Sequence, residues 1–128
     1  MAERRMFSKS IVFSDEFLDM PMSSRNLYFS LCMVADDDGF VNQPKTIIRM
    51  VGASSDDISV LTAKKFIIPF DCGVIVIRHW KIHNYIQSDR KHETQYKDLL
   101  ASITTDKNKV YHIVGKLDTS RIQDVSRM

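Results

Sequence analysis

Three histidines and an asparagine late in the chain could serve metal chemistry. His79 and His83 are four residues apart, a spacing that places two imidazoles on one face of a helix. His83, Asn84 and His92 loosely resemble a nuclease constellation in which one imidazole activates water and others hold a metal. The sequence offers no third ligand at metal spacing and no cysteine or carboxylate framework around them. These residues therefore favour ordinary packed or surface histidines over a metal site.

Three consecutive aspartates, residues 36 to 38, could suggest a calcium loop. Such a loop spaces its oxygen ligands at alternate positions and closes with a glutamate at the twelfth. Phe40 and Ile47 stand where two of those ligands belong. Because the aspartates lead directly into Gly39, the sequence predicts a tight turn here.

No motif for bond-making chemistry is present in the sequence. It contains no glycine-rich phosphate loop, no nucleophile elbow and no cysteine–histidine pair with a third orienting group. Cys32 and Cys72 are too few for a disulfide framework and lie among apolar neighbours, so both are expected to be reduced and buried. We expect a protein that is not an enzyme and that uses no cofactor and no metal.

Length and composition are those of one globular domain. A chain of 128 residues with 44% hydrophobic content can bury a real core, and 27% charged residues argue against disorder at that apolar content. No apolar run reaches the length of about eighteen residues that a membrane span needs. The start of the chain carries no export signal. These features predict a cytoplasmic protein that makes no membrane contact.

Charge is unevenly distributed, although the net charge is only +2. Residues 1 to 13 carry +2 and residues 14 to 61 carry −5, whereas residues 62 to 97 carry +4. The basic segment also holds Trp80 and two tyrosines. Cations supply affinity for a polyanion and aromatic rings can stack on bases, so this segment is the candidate nucleic-acid surface. The alternative is a solvated basic face with Trp80 packed in the core.

The first half of the chain carries the signals of three helices. Apolar residues at helical spacing predict a helix over residues 24 to 35. Asn42 is predicted to cap a second helix, which begins near Pro44 and ends at Gly52. Two serines followed by two acids, residues 54 to 57, predict the start of a third helix.

Short β-rich runs predict strands around these helices. Residues 40 and 41 suffice for one short strand, and residues 66 to 70 and 73 to 77 predict two more, with hairpin chemistry at residues 71 to 73. Pro69 cannot donate a ladder hydrogen bond, so its strand should lie at a sheet edge.

Local signals are weaker at both ends of the chain. Residues 4 to 13 are predicted to be extended, and residues 15 to 20 to form one helical turn that Pro21 breaks. Residues 89 to 103 could form a polar helix. No regular structure is predicted for residues 104 to 128.

The order helix, strand, helix, helix, strand, turn, strand is that of a winged helix, a helix-turn-helix variant with a β-hairpin wing. The predicted fold class is therefore α+β. Residues 56 to 65 would be the recognition helix and residues 71 to 73 the wing tip. The winged helix would occupy residues 24 to 88, between an N-terminal extension (residues 1 to 23) and a basic helix or linker (residues 89 to 128).

Several motifs together resemble one family of replication proteins. The motifs are Arg4-Arg5-Met6-Phe7, Phe17-Leu18-Asp19-Met20-Pro21, Ala35-Asp36-Asp37-Asp38-Gly39-Phe40 and Gly73-Val74-Ile75-Val76-Ile77, with Trp80, Asn84 and Asp89-Arg90. In combination they resemble the N-terminal domain of replisome organisers, or replication initiators, encoded by phages and prophages of Gram-positive bacteria. The resemblance covers roughly residues 1 to 96.

The resemblance implies a winged helix related to the N-terminal domain of DnaD-type primosome proteins. It also implies origin-region DNA, duplex or single-stranded, and helicase-loading or primosome proteins as partners. Members of the family usually continue into a separate C-terminal region, to which nothing in this sequence corresponds. We also expect the protein to form a homo-oligomer.

Candidate DNA contacts follow from charge and from the predicted third helix. Asp56 and Asp57 in its first turn would bring two carboxylates toward phosphates, which is unfavourable. No Arg, Asn or Gln lies between Ala53 and Thr62 to read base edges. We therefore expect weak, salt-sensitive binding unless the protein oligomerises. The candidate DNA-binding residues are Lys45, Arg49, Ser55, Ser59, Thr62, Lys64, Lys65, Arg78, Lys81, Arg90 and Lys91.

Three functions are compatible with these observations. The first is a non-catalytic DNA-binding and assembly module in phage replication initiation, for which charge reversal at Arg90 and Lys91 should abolish DNA binding. The second is an oligomerisation or helicase-loader docking domain without intrinsic DNA binding, for which changes in residues 4 to 13 or 15 to 20 should disrupt assembly. The third is a prophage transcriptional regulator, because winged helices serve both roles.

Overall fold

A computed structural model describes residues 5–84 and 93–114 and has an α+β fold. The helices are α1 (Lys9–Val12), α2 (Asp15–Leu18), α3 (Met22–Val34), α4 (Pro44–Val51), α5 (Ser55–Ala63), α6 (Trp80–His83) and α7 (Lys97–Ala101). The strands are β1 (Phe40–Val41), β2 (Ile67–Pro69), β3 (Ile75–Ile77), β4 (Ile103–Thr105) and β5 (Tyr111–Ile113). No helix in these two ranges has the length and apolar character that crossing a membrane requires.

The central helix α3 forms because its apolar residues recur at helical spacing, as predicted. Leu27, Tyr28, Leu31 and Cys32 lie on one face and are fully buried. The helix packs against both α4 and α5. Phe17 of α2 meets the ring of Tyr28 edge to face, with ring centroids 5.4 Å apart. The core is therefore built on α3, and α2 is held to it by one aromatic side chain.

The predicted turn at residues 36–39 ends α3 and leads into β1. The Asp36 carboxylate accepts hydrogen bonds from the backbone N–H groups of Asp38 (2.9 Å) and Phe40 (3.0 Å). Gly39 has a φ of +93°, in the left-handed region that favours glycine. The aspartate and the glycine thus close the turn together.

Helices α4 and α5 begin at local sequence signals. Pro44 is the first residue of α4, where its missing N–H costs no hydrogen bond. The cap position belongs to Gln43 and not to Asn42, because the helix starts at the proline itself. α5 begins directly after Ser54, as predicted, and ends at Ala63.

The first three strands form an antiparallel sheet in the order β1-β3-β2. Val76 of the central strand pairs with Phe40 on one side and with Ile68 on the other. β2 is therefore an edge strand, which accommodates Pro69 as predicted. A tight turn joins β2 to β3, closed by a hydrogen bond from the Phe70 N–H to the Val74 carbonyl (2.8 Å).

A second antiparallel hairpin, β4–β5, occupies part of the region for which no structure was predicted. Thr104 pairs with His112 at its centre. The polar helix predicted over residues 89 to 103 is confined, within the described residues, to α7. Ile103 and Tyr111 of the hairpin are buried against the rest of the molecule. Contacts with residues distant in sequence stabilise this hairpin, and local patterns do not reveal such contacts.

The N-terminal segment folds back on its own chain. Its predicted extended conformation is wrong over Lys9–Val12, which forms the single turn of α1. The Met6 N–H donates to Asn84 Oδ1 (2.8 Å), and the Ser8 N–H donates to His83 Nδ1 (2.9 Å). These bonds fasten the segment to α6 and to the residue that follows it.

The two cysteines have different environments. Cys32 is buried, as expected, and burial raises the pKa of its thiol to about 12. Cys72 is exposed, contrary to the expectation, because it lies in the turn that projects beyond β2 and β3. Both thiols are free.

Candidate nucleic-acid interface

Helix α4 presents two cations on its solvent side. Lys45 and Arg49 are four residues apart and both are exposed. Within residues 5–84 and 93–114, no carboxylate lies within 4.0 Å of either cationic group. Both charges are therefore available to an anionic ligand.

Helix α5 offers hydroxyl groups but no cation. Ser55 and Ser59 are exposed, whereas Thr62 is half-buried. The Thr62 hydroxyl donates to the Ile58 carbonyl one turn earlier (2.8 Å), so its proton is already used within the helix. A base edge would have to compete with that bond.

The two aspartates in the first turn of α5 point in different directions. Asp56 is exposed, but Asp57 is buried against α3. Asp57 Oδ1 accepts hydrogen bonds from the hydroxyls of Ser23 (2.8 Å) and Ser24 (2.7 Å), and its Oδ2 accepts from the Ser54 N–H (3.0 Å). The bond from Ser24, with those from Ser54 and Ser23, lowers the pKa of the Asp57 carboxyl. Only Asp56, and not the expected pair of carboxylates, could therefore face a phosphate.

Two lysines follow the C-terminal end of α5. Lys64 and Lys65 are exposed, and Lys65 has a φ of +65° as the chain turns into β2. The next residue, Phe66, is buried, and its carbonyl accepts the N–H of Arg78 (3.0 Å). The two lysines therefore lie near the end of the sheet at which β3 finishes.

Arg78 lies at that same end of the sheet and is bound within the molecule. One of its terminal nitrogens lies 3.1 Å from His112 Nδ1, and His112 Nε2 lies 2.7 Å from a carboxylate oxygen of Asp106. Burial lowers the pKa of the Arg78 guanidinium, and the charge of Asp106 opposes this effect. Arg78 thus connects the sheet to the β4–β5 hairpin.

Lys81 on α6 is exposed and lies beside the same hairpin. Its ammonium donates to the Thr105 hydroxyl (3.1 Å) and sits 5.6 Å from the centre of the Tyr111 ring. Neither contact neutralises the charge, so Lys81 remains a cation at the surface.

Arg90 and Lys91 lie outside the described residues, as do Tyr85 and His92. The contribution of Arg90 and Lys91 to DNA binding stays a prediction. Sequence reasoning overlooked two other lysines, Lys107 and Lys109, at the tip of the β4–β5 hairpin. The β-branched run of residues 103 to 105, followed by Asp and Asn, was the available hairpin signal.

Trp80 is part of the core. Its side chain is fully buried, and its indole N–H donates to the Asp37 carbonyl (3.0 Å). The guanidinium of Arg5 lies 5.1 Å from the ring centre. In this arrangement the ring face is not open to a stacking base.

The histidine and aspartate motifs form structural contacts. Both ring nitrogens of His83 are engaged, one by the Ser8 N–H (2.9 Å) and the other by the Tyr28 hydroxyl (2.7 Å). Asp36 accepts a hydrogen bond from the Thr94 hydroxyl as well as those that close its turn. In the part of the chain that the structure describes, no three His, Cys, Asp or Glu residues are grouped to hold a metal ion.

Comparisons with protein-family models, with curated proteins and with solved structures find no match to this chain. We therefore infer function from the arrangement of the chain's own residues. That arrangement provides exposed cations on α4, after α5 and beside the β4–β5 hairpin, and no described carboxylate pairs with them.

Proposed function

We propose that this protein is a non-catalytic DNA-binding and assembly module with a winged-helix architecture, acting in the initiation of DNA replication. The observation that carries the proposal is the order α3-β1-α4-α5-β2-β3 combined with the sheet order β1-β3-β2. We interpret this order as a helix-turn-helix followed by a β-hairpin wing, because it is the order expected of that architecture. The motifs that resemble phage replisome organisers supply the replication role.

The distribution of charge supports contact with the phosphate backbone. Lys45 and Arg49 on α4 and Lys64 and Lys65 after α5 are exposed, and Asp57 is turned away from solvent. Backbone contacts of this kind carry little sequence information. The α5 surface, with Ser55 and Ser59 and no Arg, Asn or Gln, adds little direct readout of bases.

Fluorescence anisotropy with labelled duplex and single-stranded DNA tests the proposal. The full chain should bind with micromolar affinity at low salt, and binding should weaken steeply as salt is raised, because phosphate contacts release counterions. The double variant Lys45→Gln/Arg49→Gln should weaken binding to every sequence alike. The double variant Lys45→Arg/Arg49→Lys keeps both charges and should leave binding unchanged. A folded chain that binds neither DNA form at low salt would exclude the proposal.

A second candidate is an assembly domain without intrinsic DNA binding. One observation favours it: four large apolar side chains between residues 5 and 22 are exposed, namely Met6, Phe13, Leu18 and Met22. Asp15, Glu16 and Asp19 lie among them and are exposed too. Such a surface suits a partner that offers apolar and basic groups.

Light scattering separates this candidate from the first. If the surface mediates self-association, Leu18→Ser should lower the mass of the wild-type particle while DNA binding per chain persists. An oligomer that fails to bind DNA, and that Leu18→Ser dissociates, would favour the assembly domain.

A further inference from the structure

The β4–β5 hairpin ends in a short, exposed basic tip. Lys107, Asn108 and Lys109 are all exposed between the two strands. The carboxylate of Asp106 accepts the N–H groups of Asn108 (2.8 Å) and Val110 (3.0 Å), and Lys109 turns the chain with a φ of +67°. The two lysines are thus presented by an ordered turn.

The end of the hairpin next to its tip, where Tyr111 pairs with Thr105, is joined to the sheet by buried contacts. The Tyr111 N–H donates to the Arg78 carbonyl (3.0 Å), directly after β3. The Tyr111 hydroxyl donates to the Asp38 carbonyl (2.9 Å) in the turn after α3. Tyr111 is fully buried. These bonds hold the hairpin in one position relative to the sheet.

The acid at the tip is already engaged within the molecule, whereas the lysines are not. Asp106 bonds to His112, which in turn is contacted by the guanidinium of Arg78. Among the residues that the structure describes, no carboxylate oxygen lies within 4.0 Å of the ammonium of Lys107 or Lys109. The tip therefore offers two exposed cations that no carboxylate of residues 5–84 and 93–114 neutralises.

Further cations lie next to this hairpin. Lys81 binds the hydroxyl of Thr105, which is two residues before Lys107. Two residues of chain span at most about 7 Å, so the backbones of Thr105 and Lys107 lie within about that distance of each other. Lys64 and Lys65 lie near the same end of the sheet, because Phe66 bonds to Arg78.

The wing tip between β2 and β3 has the opposite character. Its turn consists of Asp71, Cys72 and Gly73, all exposed, and contains one acid and no base. A phosphate backbone would be repelled there and attracted at the β4–β5 tip. The two tips belong to opposite ends of β3. The first tip precedes β3, whereas Tyr111, two residues after Lys109, bonds to Arg78 directly after β3.

We propose that the β4–β5 hairpin is a second wing, whose tip lysines Lys107 and Lys109, together with Lys81, contact the phosphate backbone of duplex DNA. This inference rests on the proposed function, because it assigns part of the same DNA contact. It places this part of the contact at the end of the sheet at which Arg78 lies, and not at the acidic tip of the first wing.

Salt-dependent anisotropy with the double variant Lys107→Gln/Lys109→Gln tests the inference. Each phosphate contact contributes about 0.9 to the slope of log K against log salt, so the slope should fall by about 2. Affinity at low salt should drop by at least about tenfold. The double variant Lys107→Arg/Lys109→Arg keeps both charges and should bind like the wild type.

The possible results separate this inference from the proposed function. A wild type that binds DNA, with an unchanged slope and affinity in the glutamine variant, would overturn the second wing and leave the DNA-binding module standing. Loss of binding in the arginine variant as well would also overturn it, because charge would then not be the cause. A wild-type chain that binds no DNA at low salt would overturn both.

Discussion

At the scale of single residues, carboxylates in this chain order the backbone at helix and turn boundaries. Asp57 fastens the start of α5 to two serines of α3, Asp36 closes the turn after α3, and Asp106 closes the second hairpin. Each accepts backbone N–H groups that would otherwise lack partners. The sequence predicted a helix start at Asp57 and a turn at Asp36. It did not predict which more distant residues these carboxylates bind.

His83 shows the same dependence on distant partners. Because its Nδ1 accepts the Ser8 N–H, the neutral ring carries its proton on Nε2, which donates to the Tyr28 hydroxyl. Burial, aided by the positive charge of His79, lowers the pKa of His83 to about 4. Protonation of the ring would break the bond from Ser8, since Nδ1 could no longer accept.

The depressed pKa of His83 predicts a loss of stability in mild acid. In the unfolded chain the imidazole titrates near 6.5 and in the folded chain near 4, so the unfolded state takes up the proton first. The stabilisation is complete above about pH 6.5 and is lost as the pH falls toward 4, with a total of about 3 kcal/mol. Urea unfolding across this pH range measures the effect.

The variant His83→Gln should flatten that pH dependence, because glutamine does not titrate. A smaller slope of the same sign should remain in this variant, because burial also lowers the pKa of His79 to about 4. An unchanged slope in His83→Gln would assign the acid sensitivity to other groups.

At the scale of secondary-structure elements, the junction between α3 and β1 is a site of close packing. A Cβ atom built on Gly39 would lie 2.7 Å from Cγ of Trp80 and 2.8 Å from its Cβ. Gly52, at the end of α4, also has a positive φ, but no atom lies within 4 Å of the corresponding position. The sequence predicted a turn at both glycines, and only the position of α6 distinguishes them.

We expect Gly39→Ala to lower the free energy of unfolding by about 3 kcal/mol, the sum of backbone strain and overpacking against Trp80. Gly52→Ala is the matched control and should cost only about 1 kcal/mol, because it adds strain without a clash. Urea unfolding of both variants measures the difference. Equal costs would mean that α6 moves aside without penalty.

At the scale of the whole molecule, the turn at residues 36–39 and the residue before it bond to segments that lie far before and far after them in sequence. Its carbonyl and carboxylate groups bond to Trp80, Thr94 and Tyr111. Arg5 of the N-terminal segment donates to the Ala35 carbonyl just before the turn (2.6 Å). It also lies 4.0 Å from the Asp37 carboxylate, and both of these side chains are buried. The N-terminal segment is therefore part of the folded unit.

We expect Arg5→Met to lower the free energy of unfolding by about 3 kcal/mol, because it removes a buried guanidinium while keeping the apolar stem against Trp80. Lys9→Met, in the exposed α1, should change it by no more than about 0.5 kcal/mol. Urea unfolding with light scattering at two protein concentrations checks this. If the free energy of unfolding of the wild type falls on dilution, the N-terminal segment that contains Arg5 bridges two chains instead.

The sequence by itself determined the elements whose signals are local. The start of α4 at Pro44, the start of α5 after Ser54, the turn at Gly39 and the edge position of Pro69 all depend on residues within a few positions, since caps and turns are satisfied by near neighbours. The α+β class followed from the order of these elements.

Only the tertiary structure decided which side chains meet. Tyr111 bonds to Asp38 across 73 positions and Ser8 to His83 across 75, and no local pattern encodes such pairings. The Tyr111 contact also stabilises the β4–β5 hairpin, whose short strands have weak patterns of their own. Hydrogen bonds from Ser23 and Ser24 turn Asp57 inward, and Trp80 is buried with its indole N–H on the Asp37 carbonyl. The candidate interface changed accordingly, because burial and pairing determine which of the predicted charges remain free at the surface.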